Sequence, residues 1–480
     1  MNDLRIIMAR LGWPSTSARW WAAQELAARL GESKTKAETE SSLLQLLRSR
    51  RLEAEVVEVL CIFWMAVKAF GYSPTVELAE SISLPSPLSD LLVTSCGLSI
   101  QASNAGLEEV SEYFEVPDDF DGVHGVDLPR MFRTSMSRLE AYSALPFVRQ
   151  MAFEWKKNRA AYPDAPYQGD PGHFIRPLGD GFIGQFSSRT ALRTISAYLR
   201  TLAVAENFWR MPPELASKES LLALPIHPTL AFLRPKCPNW FPSLTDFDGD
   251  TQAIETSLHT LLSRVSASHP GDELIAFSSP VVISMELCVE VSMVRWSQTV
   301  NSDVEDADLA AHLESFWTRG PVLCSQVPEP LSTKTFVTPL NLEQLNEKAS
   351  KAWPLAGTLD FDRIGYLQHD LYPSRLFLPM MPGVDEVEIT SYNGQLQSKV
   401  KGQIIADLYY WNAGWDPARP RQFGGNCGTA LISRSTAYRK GNSVEIEPLR
   451  SFYLWRVRAL QKDSSLNEFY DTLTVGTLFV

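Results

Sequence analysis

Residues 285–293 have the sequence MELCVEVSM, which is the strongest strand signal in the chain. Apolar residues alternate there with Glu286, Cys288, Glu290 and Ser292. A period of two is typical of a β-strand that buries one face and exposes the other. The stretch therefore predicts a sheet with one exposed face, in a chain whose first part has a different periodicity.

The N-terminal part of the sequence has helical periodicity. Apolar residues recur at helical spacing over 20–30, after a capping sequence at 14–17 and before Gly31. A second helix is predicted over about 41–71, and it is apolar on most sides, as a buried helix is. Further helices are predicted over 128–161 with a bend at Pro146, over 189–210, from Pro212-Pro213 onward, over 252–265 and over 449–460.

The C-terminal part has strand signals. Strand-like runs at 384–392 and 395–411 flank Asn393-Gly394, and both turn residues tolerate positive φ, so a β-hairpin is predicted. Another strand is predicted over 429–433. The Pro-, Ser- and Thr-rich residues 321–340 indicate a linker before this β-rich part.

These signals predict an α+β fold in three parts. Residues 1–115 are expected to form a helical region, residues 116–330 a mixed α+β middle domain, and residues 331–480 a β-containing basic C-terminal domain. Residues 15–70 combine a short amphipathic helix, a polar turn and a more buried helix, and they resemble a HEAT-type helical repeat. The resemblance implies a recognition surface of the kind found in scaffolds and sensors of bacterial multi-protein systems, including defence systems.

Composition limits the class of protein. With 480 residues, 45% of them apolar and 21% charged, the chain is neither disordered nor collagen-like. It lacks an apolar run of about 18 residues, so no membrane association is expected. Six scattered cysteines and the absence of a secretory signal at the N-terminus predict a cytoplasmic protein.

The sequence contains weak signals for cofactor chemistry. There is no Gly-Lys-Ser/Thr phosphate loop, and the GxGxxG pattern at 179–184 lacks both the preceding strand and the immediately following helix. The acidic residues 246–250 do not have the spacing of an EF-hand, and a helix cap explains them better. No cofactor and no metal are therefore expected.

One catalytic alternative stays open. Cys427 lies among glycines whose amides offer an oxyanion site, and His369 precedes it by 58 residues. That order is close to the order in caspase-like hydrolases, although the surrounding signature is missing. A cysteine-dependent hydrolase with Cys427 and His369 is the alternative to a non-catalytic protein.

Charge is unevenly distributed. The chain has a net charge of −12, yet eleven basic and four acidic residues give 396–462 a net charge of +7. Basic residues between aromatic rings suit a protein partner with an acidic surface, and equally suit nucleic acid. The candidate binding residues are Arg419, Arg421, Arg434, Arg439, Tyr409, Trp411 and Trp415.

These observations favour a non-catalytic interaction, adaptor or sensor subunit of a multi-protein system. The helical part is expected to present a recognition surface, and the basic segment to dock an acidic protein. A nucleic-acid-binding component is the second alternative, beside the hydrolase.

Overall fold

The computed structural model groups the chain into two compact units. The helical unit contains Met1–Ala231 and Arg363–Asp370, and the sheet unit contains Phe232–Asp362 and Leu371–Val480. The structure describes residues 2–13, 16–101, 106–120, 130–163, 189–241, 247, 250–282, 284, 286–299, 331, 335–337, 352–360, 365–367, 375–380, 387–392, 394–412, 427–434, 449–463 and 468–479.

The described part of the helical unit consists of α-helices and two short 3₁₀ turns. The helices are α1 Asn2–Arg10, α2 Thr16–Gly31, α3 Lys36–Arg48, α4 Glu53–Phe70, α5 Glu77–Glu80, α6 Pro87–Ser95, α7 Arg130–Ser143, α8 Phe147–Ala161, α9 Arg189–Asn207 and α10 Pro213–Ser220. The 3₁₀ turns are Leu221–Ala223 and Pro228–Leu230.

Helix α4 is the centre of the helical unit. It packs against α2, α3, α6 and α9, and most of its side chains are buried, as its apolar sequence predicts. Ser196 of α9 accepts a hydrogen bond from the amide of Ala54 at 3.0 Å, which satisfies one free donor at the start of α4. The helix ends at Gly71, which has a φ of 63° and forms the left-handed cap.

Two predicted helices are each broken in two. The prediction of one helix over 41–71 was wrong, because residues 49–52 separate α3 from α4. The predicted helix over 128–161 likewise ends at Ser143 and starts again at Phe147. Pro146 is the residue before α8, where its missing N–H costs no helical hydrogen bond, so the expected bend is a complete break.

A short segment from the second half of the sequence belongs to the helical unit. The amide of Gly365 donates to the carbonyl of Leu224 at 3.0 Å, and the amide of Leu367 donates to Pro225 at 3.0 Å. Tyr366 lies between these two residues and is buried, and its hydroxyl group donates a hydrogen bond to a carboxylate oxygen of Glu58 at 2.7 Å. This contact joins residues 308 positions apart in the sequence.

The sheet unit is built on a large antiparallel sheet. The order of its main path is β12-β11-β2-β1-β10-β9-β8-β7-β3, with β4 paired to β2, while β5 and β6 form a separate two-stranded sheet. The strands are β1 Glu273–Val282, β2 Leu287–Thr299, β3 Thr335–Val337, β4 Ala352–Pro354, β5 Ala356–Asp360, β6 Arg375–Pro379, β7 Val387–Tyr392, β8 Gln395–Val400, β9 Gln403–Asn412, β10 Cys427–Ser433, β11 Leu449–Asp463 and β12 Glu468–Phe479.

Helix α11, Thr251–Ser268, packs on one face of this sheet. Its buried side chains Ile254, Leu258 and Leu261 join a core with Val289, Val291 and Met293 of β2 and with residues of β1, β10 and β11. The carboxylate of Asp250 accepts from the amide of Ala253 at 2.9 Å and caps the helix. The acidic residues 246–250 therefore include a helix cap, as the sequence suggested.

Three predictions for the sheet unit need correction. Residues 449–460 were expected to form a helix but belong to β11, which lies between β2 and β12. The predicted strand 395–411 is two strands, β8 and β9, joined by Lys401 and Gly402 in left-handed conformations. In β2, Cys288 and Ser292 are as buried as Val289 and Met293, so the strand is covered on both faces instead of one.

The α+β fold class is confirmed, as are the hairpin of β7 and β8 and the strand over 429–433. The division into 1–115, 116–330 and 331–480 stays a prediction. The sheet unit includes β1 and β2, which precede residue 331 in the sequence. Most of the predicted linker 321–340 lies outside the described residues, although β3 falls within it. Among the described helices, none is sufficiently long and apolar to cross a membrane.

Candidate interaction surface

Cys427 begins the central strand β10. Its side chain is 7% exposed, and its Cα faces Asn412 of β9 in the strand register. Burial of this kind makes the thiol hard for a substrate to reach. His369 lies outside the described residues, so its pairing with Cys427 stays a prediction.

The rings of Tyr409 and Trp411 pack against other side chains of the sheet unit. Trp411 is buried, with its ring centroid 4.5 Å from that of Phe241. It also lies directly over Gly428, where an added Cβ would come within 2.2 Å of the indole. Tyr409 lies 6.0 Å from Trp240, and burial raises its pKa. Trp411 is covered by neighbours of its own chain and Tyr409 is partly buried against them, whereas stacking on a nucleobase needs an open ring face.

Several cations of the basic segment have partners within the sheet unit. Arg434 donates to the carboxylate of Asp407 from Nε at 3.1 Å and from a terminal nitrogen at 2.9 Å. Arg456 lies 3.5 Å from the carboxylate of Glu290, and the guanidinium of Arg450 lies 4.3 Å from the ring centre of Phe479. Of these partners, Glu290 is the acidic residue from outside 396–462, so its contact with Arg456 reduces the excess positive charge of that segment. The candidates Arg419, Arg421, Arg439 and Trp415 lie outside the described residues.

The described residues offer no ready metal site, because none of their His, Cys, Asp and Glu side chains come together in groups of three or more. The glycine-rich residues 179–184 lie outside the described part of the chain.

The helical unit contains a buried cluster of two carboxylates around Arg200. A terminal nitrogen of Arg200 donates to Glu53 at 3.0 Å, and its Nε lies 2.8 Å from Glu154. Gln150 donates to Glu154 at 3.1 Å and accepts from the amide of Val110 at 2.7 Å. Burial raises the pKa of both glutamates, and Arg200 counteracts that rise. Paired carboxylates of this kind were not singled out from the sequence, because their spacing carries no motif.

A second, partly buried charge group lies at Glu58. Arg19 of α2 forms an ion pair with it, and Tyr366 donates to the same carboxylate oxygen. His227 is buried in the same unit, and burial lowers its pKa to about 3, so it is neutral at physiological pH. These side chains are enclosed by the helical unit, and their contacts hold segments of it together.

The exposed outer edge of β12 is the feature that the sequence prediction missed. Within the described residues, β12 pairs with β11 on one side, and its other side forms the end of the sheet. Three of its apolar side chains remain accessible: Tyr470 is 52% exposed, Leu473 42% and Phe479 37%. The signal for it was present in the run FYDTLTVGTLF, which is rich in aromatic and β-branched residues.

The two ends of the sheet differ. At the other end, β3 has three residues and pairs with the first half of β7. A short end strand leaves few backbone groups free, whereas β12 extends over twelve residues. Of the two end strands in the main path of the sheet, β12 therefore offers the longer exposed edge among the described residues.

Comparison with known proteins gives no match, whether to a protein-family model, to a curated protein or to a solved structure.

Proposed function

We propose that this chain is a non-catalytic interaction protein that works as a subunit of a larger assembly and docks through the outer edge of β12. The observation that carries the proposal is the length of that edge together with the exposure of Tyr470 and Leu473. Every second residue of an edge strand directs its N–H and C=O groups outward. These groups and the apolar side chains bind an added strand, which is a recurring mode of protein recognition.

The composition of β12 supports this role. Proteins usually protect long edges with Lys, Pro or a bulge, because a bare edge pairs with other chains. Residues 468–479 contain no Lys, Arg or Pro, and their charged residues are Glu468 and Asp471. An edge without these protective features is expected to be covered in the working protein.

The proposal that the protein is not an enzyme is supported by the surroundings of the reactive groups. Cys427 is buried in a central strand, and the buried Glu53 and Glu154 are paired with Arg200. A change of Cys427 to alanine is therefore expected to leave assembly and function intact. Loss of function in a Cys427→Ala protein that melts at the wild-type temperature would favour the hydrolase alternative.

The test compares two variants, each of which replaces one partly exposed leucine with lysine. Leu473→Lys places a charge on the edge, and Leu215→Lys places the same charge on helix α10, where the leucine is 38% exposed. Each tagged chain is purified gently at low salt from the native cell, and the mass and composition of the complex are measured. We expect wild type and Leu215→Lys to be larger than the 53.7 kDa chain, and Leu473→Lys to have the mass of the single chain.

Two outcomes contradict the proposal. The first is a wild-type chain that purifies alone as a 53.7 kDa monomer. The second is a complex that survives Leu473→Lys unchanged, because the docking surface then lies elsewhere. A complex that contains nucleic acid and dissociates in high salt would favour the nucleic-acid alternative.

A further inference from the structure

We propose that the molecule docked on β12 is a second copy of this chain, whose own β12 pairs with the first in an antiparallel arrangement about a twofold axis at Thr474. This inference rests on the proposed function, because it names the molecule that occupies the same edge. It predicts a homodimer in which the main sheets of two copies continue into each other. A twofold dimer of this kind uses the same surface on both subunits.

The two faces of the sheet limit the register. Residues of equal parity in a strand point to the same face, and directly opposite residues of paired strands also share a face. Leu478 belongs to the core beneath α11, and Gly476 lies under the ring of Trp455 in that core, so even-numbered residues of β12 face α11. A twofold pair must therefore join even positions with even positions and odd with odd. The axis must pass beside a residue and not between two residues.

The residue pairs favour Thr474 as that residue. An axis at Thr474 places Tyr470 opposite Leu478 and Leu473 opposite Val475, so apolar residues meet on both faces. An axis one residue earlier, at Leu473, would place Glu468 opposite Leu478. That register places an acidic residue opposite an apolar one. An axis at a residue after Thr474 would leave fewer residues of β12 paired.

The distribution of charge favours the antiparallel direction. Glu468 and Asp471 lie in the same half of β12. Antiparallel pairing keeps these acidic positions of the two copies at opposite ends of the shared ribbon, and Asp471 then falls opposite Thr477. Parallel pairing would align the acidic positions, and like charges placed opposite each other are destabilising.

Self-pairing also accounts for the exposed side chains on both faces of the edge. Tyr470 lies on the face that carries α11, and Leu473 lies on the other face. An added strand that contributes Leu478 on one face and Val475 on the other covers both of them. A second copy supplies these partners without any additional component.

The first experiment measures the mass of the purified full-length chain by light scattering over a range of concentrations. We expect wild type and Leu215→Lys to reach twice 53.7 kDa. Leu473→Lys is expected to weaken dimerisation at least ~100-fold, because the ammonium group must lose water beside Val475 of the second copy. Circular dichroism and thermal melting verify that the variant is folded.

The second experiment tests the register and does not depend on the folding of the lysine variant. Thr474→Cys in a Cys237→Ser background, which removes an exposed native thiol, is oxidised under mild conditions. The two introduced thiols of a Thr474→Cys dimer lie on directly opposite residues, whose Cβ atoms are about 5 Å apart, so a disulfide-linked dimer is expected. Leu473→Cys is the control, because its two copies lie about 7–8 Å apart on a diagonal and crosslink more slowly.

Three results overturn the inference. A wild-type chain that is monomeric at every concentration excludes the homodimer, as does a dimer that Leu473→Lys retains. Faster crosslinking at position 473 than at 474 excludes the register. The proposed function is tested separately: a purified chain that is monomeric, yet loses a different protein from the native complex on Leu473→Lys, refutes the homodimer and preserves the docking role of the edge.

Discussion

Replacement of Arg200 with methionine is expected to destabilise the helical unit strongly. The change keeps an unbranched side chain but removes the cation that lies 3.0 Å from Glu53 and 2.8 Å from Glu154. Both glutamates are buried, so neither carboxylate gains water in exchange. Removal of one partner from a buried ion pair costs about 3–5 kcal/mol, and we expect a loss of this size in the free energy of unfolding.

The loss should also depend on pH. Burial raises the pKa of Glu53 and Glu154, so in the folded state these groups hold protons at a higher pH than in the unfolded state. Stability contributed by the neutral carboxyls is present at low pH and is lost as pH rises through the folded pKa. Removal of Arg200 raises both pKa values further. The destabilisation should therefore be largest near pH 8 and smaller near about pH 5.

The assay is urea unfolding of the full chain, monitored by circular dichroism in the helical region, for wild type and Arg200→Met at both pH values. Glu154→Gln in the Arg200→Met background is the companion variant, because it removes one of the two buried negative charges and keeps an acceptor for Gln150. It should recover about 1–3 kcal/mol. A loss below about 1 kcal/mol that does not change with pH would show that the buried ion-pair argument is wrong.

Three further changes test other contacts. Gly428→Ala places a methyl group 2.2 Å from the indole of Trp411 and should lower the free energy of unfolding by about 1–3 kcal/mol. Adding Trp411→Leu should recover part of this loss. An unchanged melting temperature of Gly428→Ala would contradict the close packing. Tyr366→Phe removes a hydroxyl that donates to Glu58 at 2.7 Å and should lower the free energy of unfolding by about 1.5–3 kcal/mol, and a neutral effect would refute that contact. Burial lowers the pKa of His227 from its ordinary value of 6.5 to about 3. Between these two pH values, His227 is protonated in the unfolded chain and neutral in the folded chain. His227 should thus reduce stability by about 2 kcal/mol at pH 5 relative to pH 8, and His227→Gln should show a shallower acid slope, whereas equal slopes would contradict the assignment.

Local signals predicted several helix ends and turns of this chain. Pro213 starts α10, Gly71 ends α4, and a strand begins directly after Gly394, because each of these residues acts through its own backbone preference. The break at 49–52 was missed because the apolar periodicity continues on both sides of it. The turn at Lys401-Gly402 was missed although its glycine carries a local signal.

Long-range pairing decided what the sequence could not show. The run 449–460 has apolar residues at consecutive positions, so its period does not distinguish a buried helix from a strand covered on both faces. It is a strand because Trp455 lies between Met293 of β2 and Gly476 of β12, which are distant in sequence. The same pairing places β12 at the end of the sheet, and the proposed docking edge depends on that position. The candidate aromatic residues Tyr409 and Trp411 were identified by composition, which does not reveal whether a ring faces solvent or core.

Hydrogen exchange of the backbone amides over residues 468–479 tests the central claim most directly. The wild-type chain in its associated state is compared with the monomeric Leu473→Lys chain, with residue resolution. If β12 accepts an added strand, alternate amides of β12 that exchange quickly in the monomer should be protected in the associated state, while the amides already paired with β11 stay protected in both. Equal exchange of these amides in the two states would contradict docking through the β12 edge.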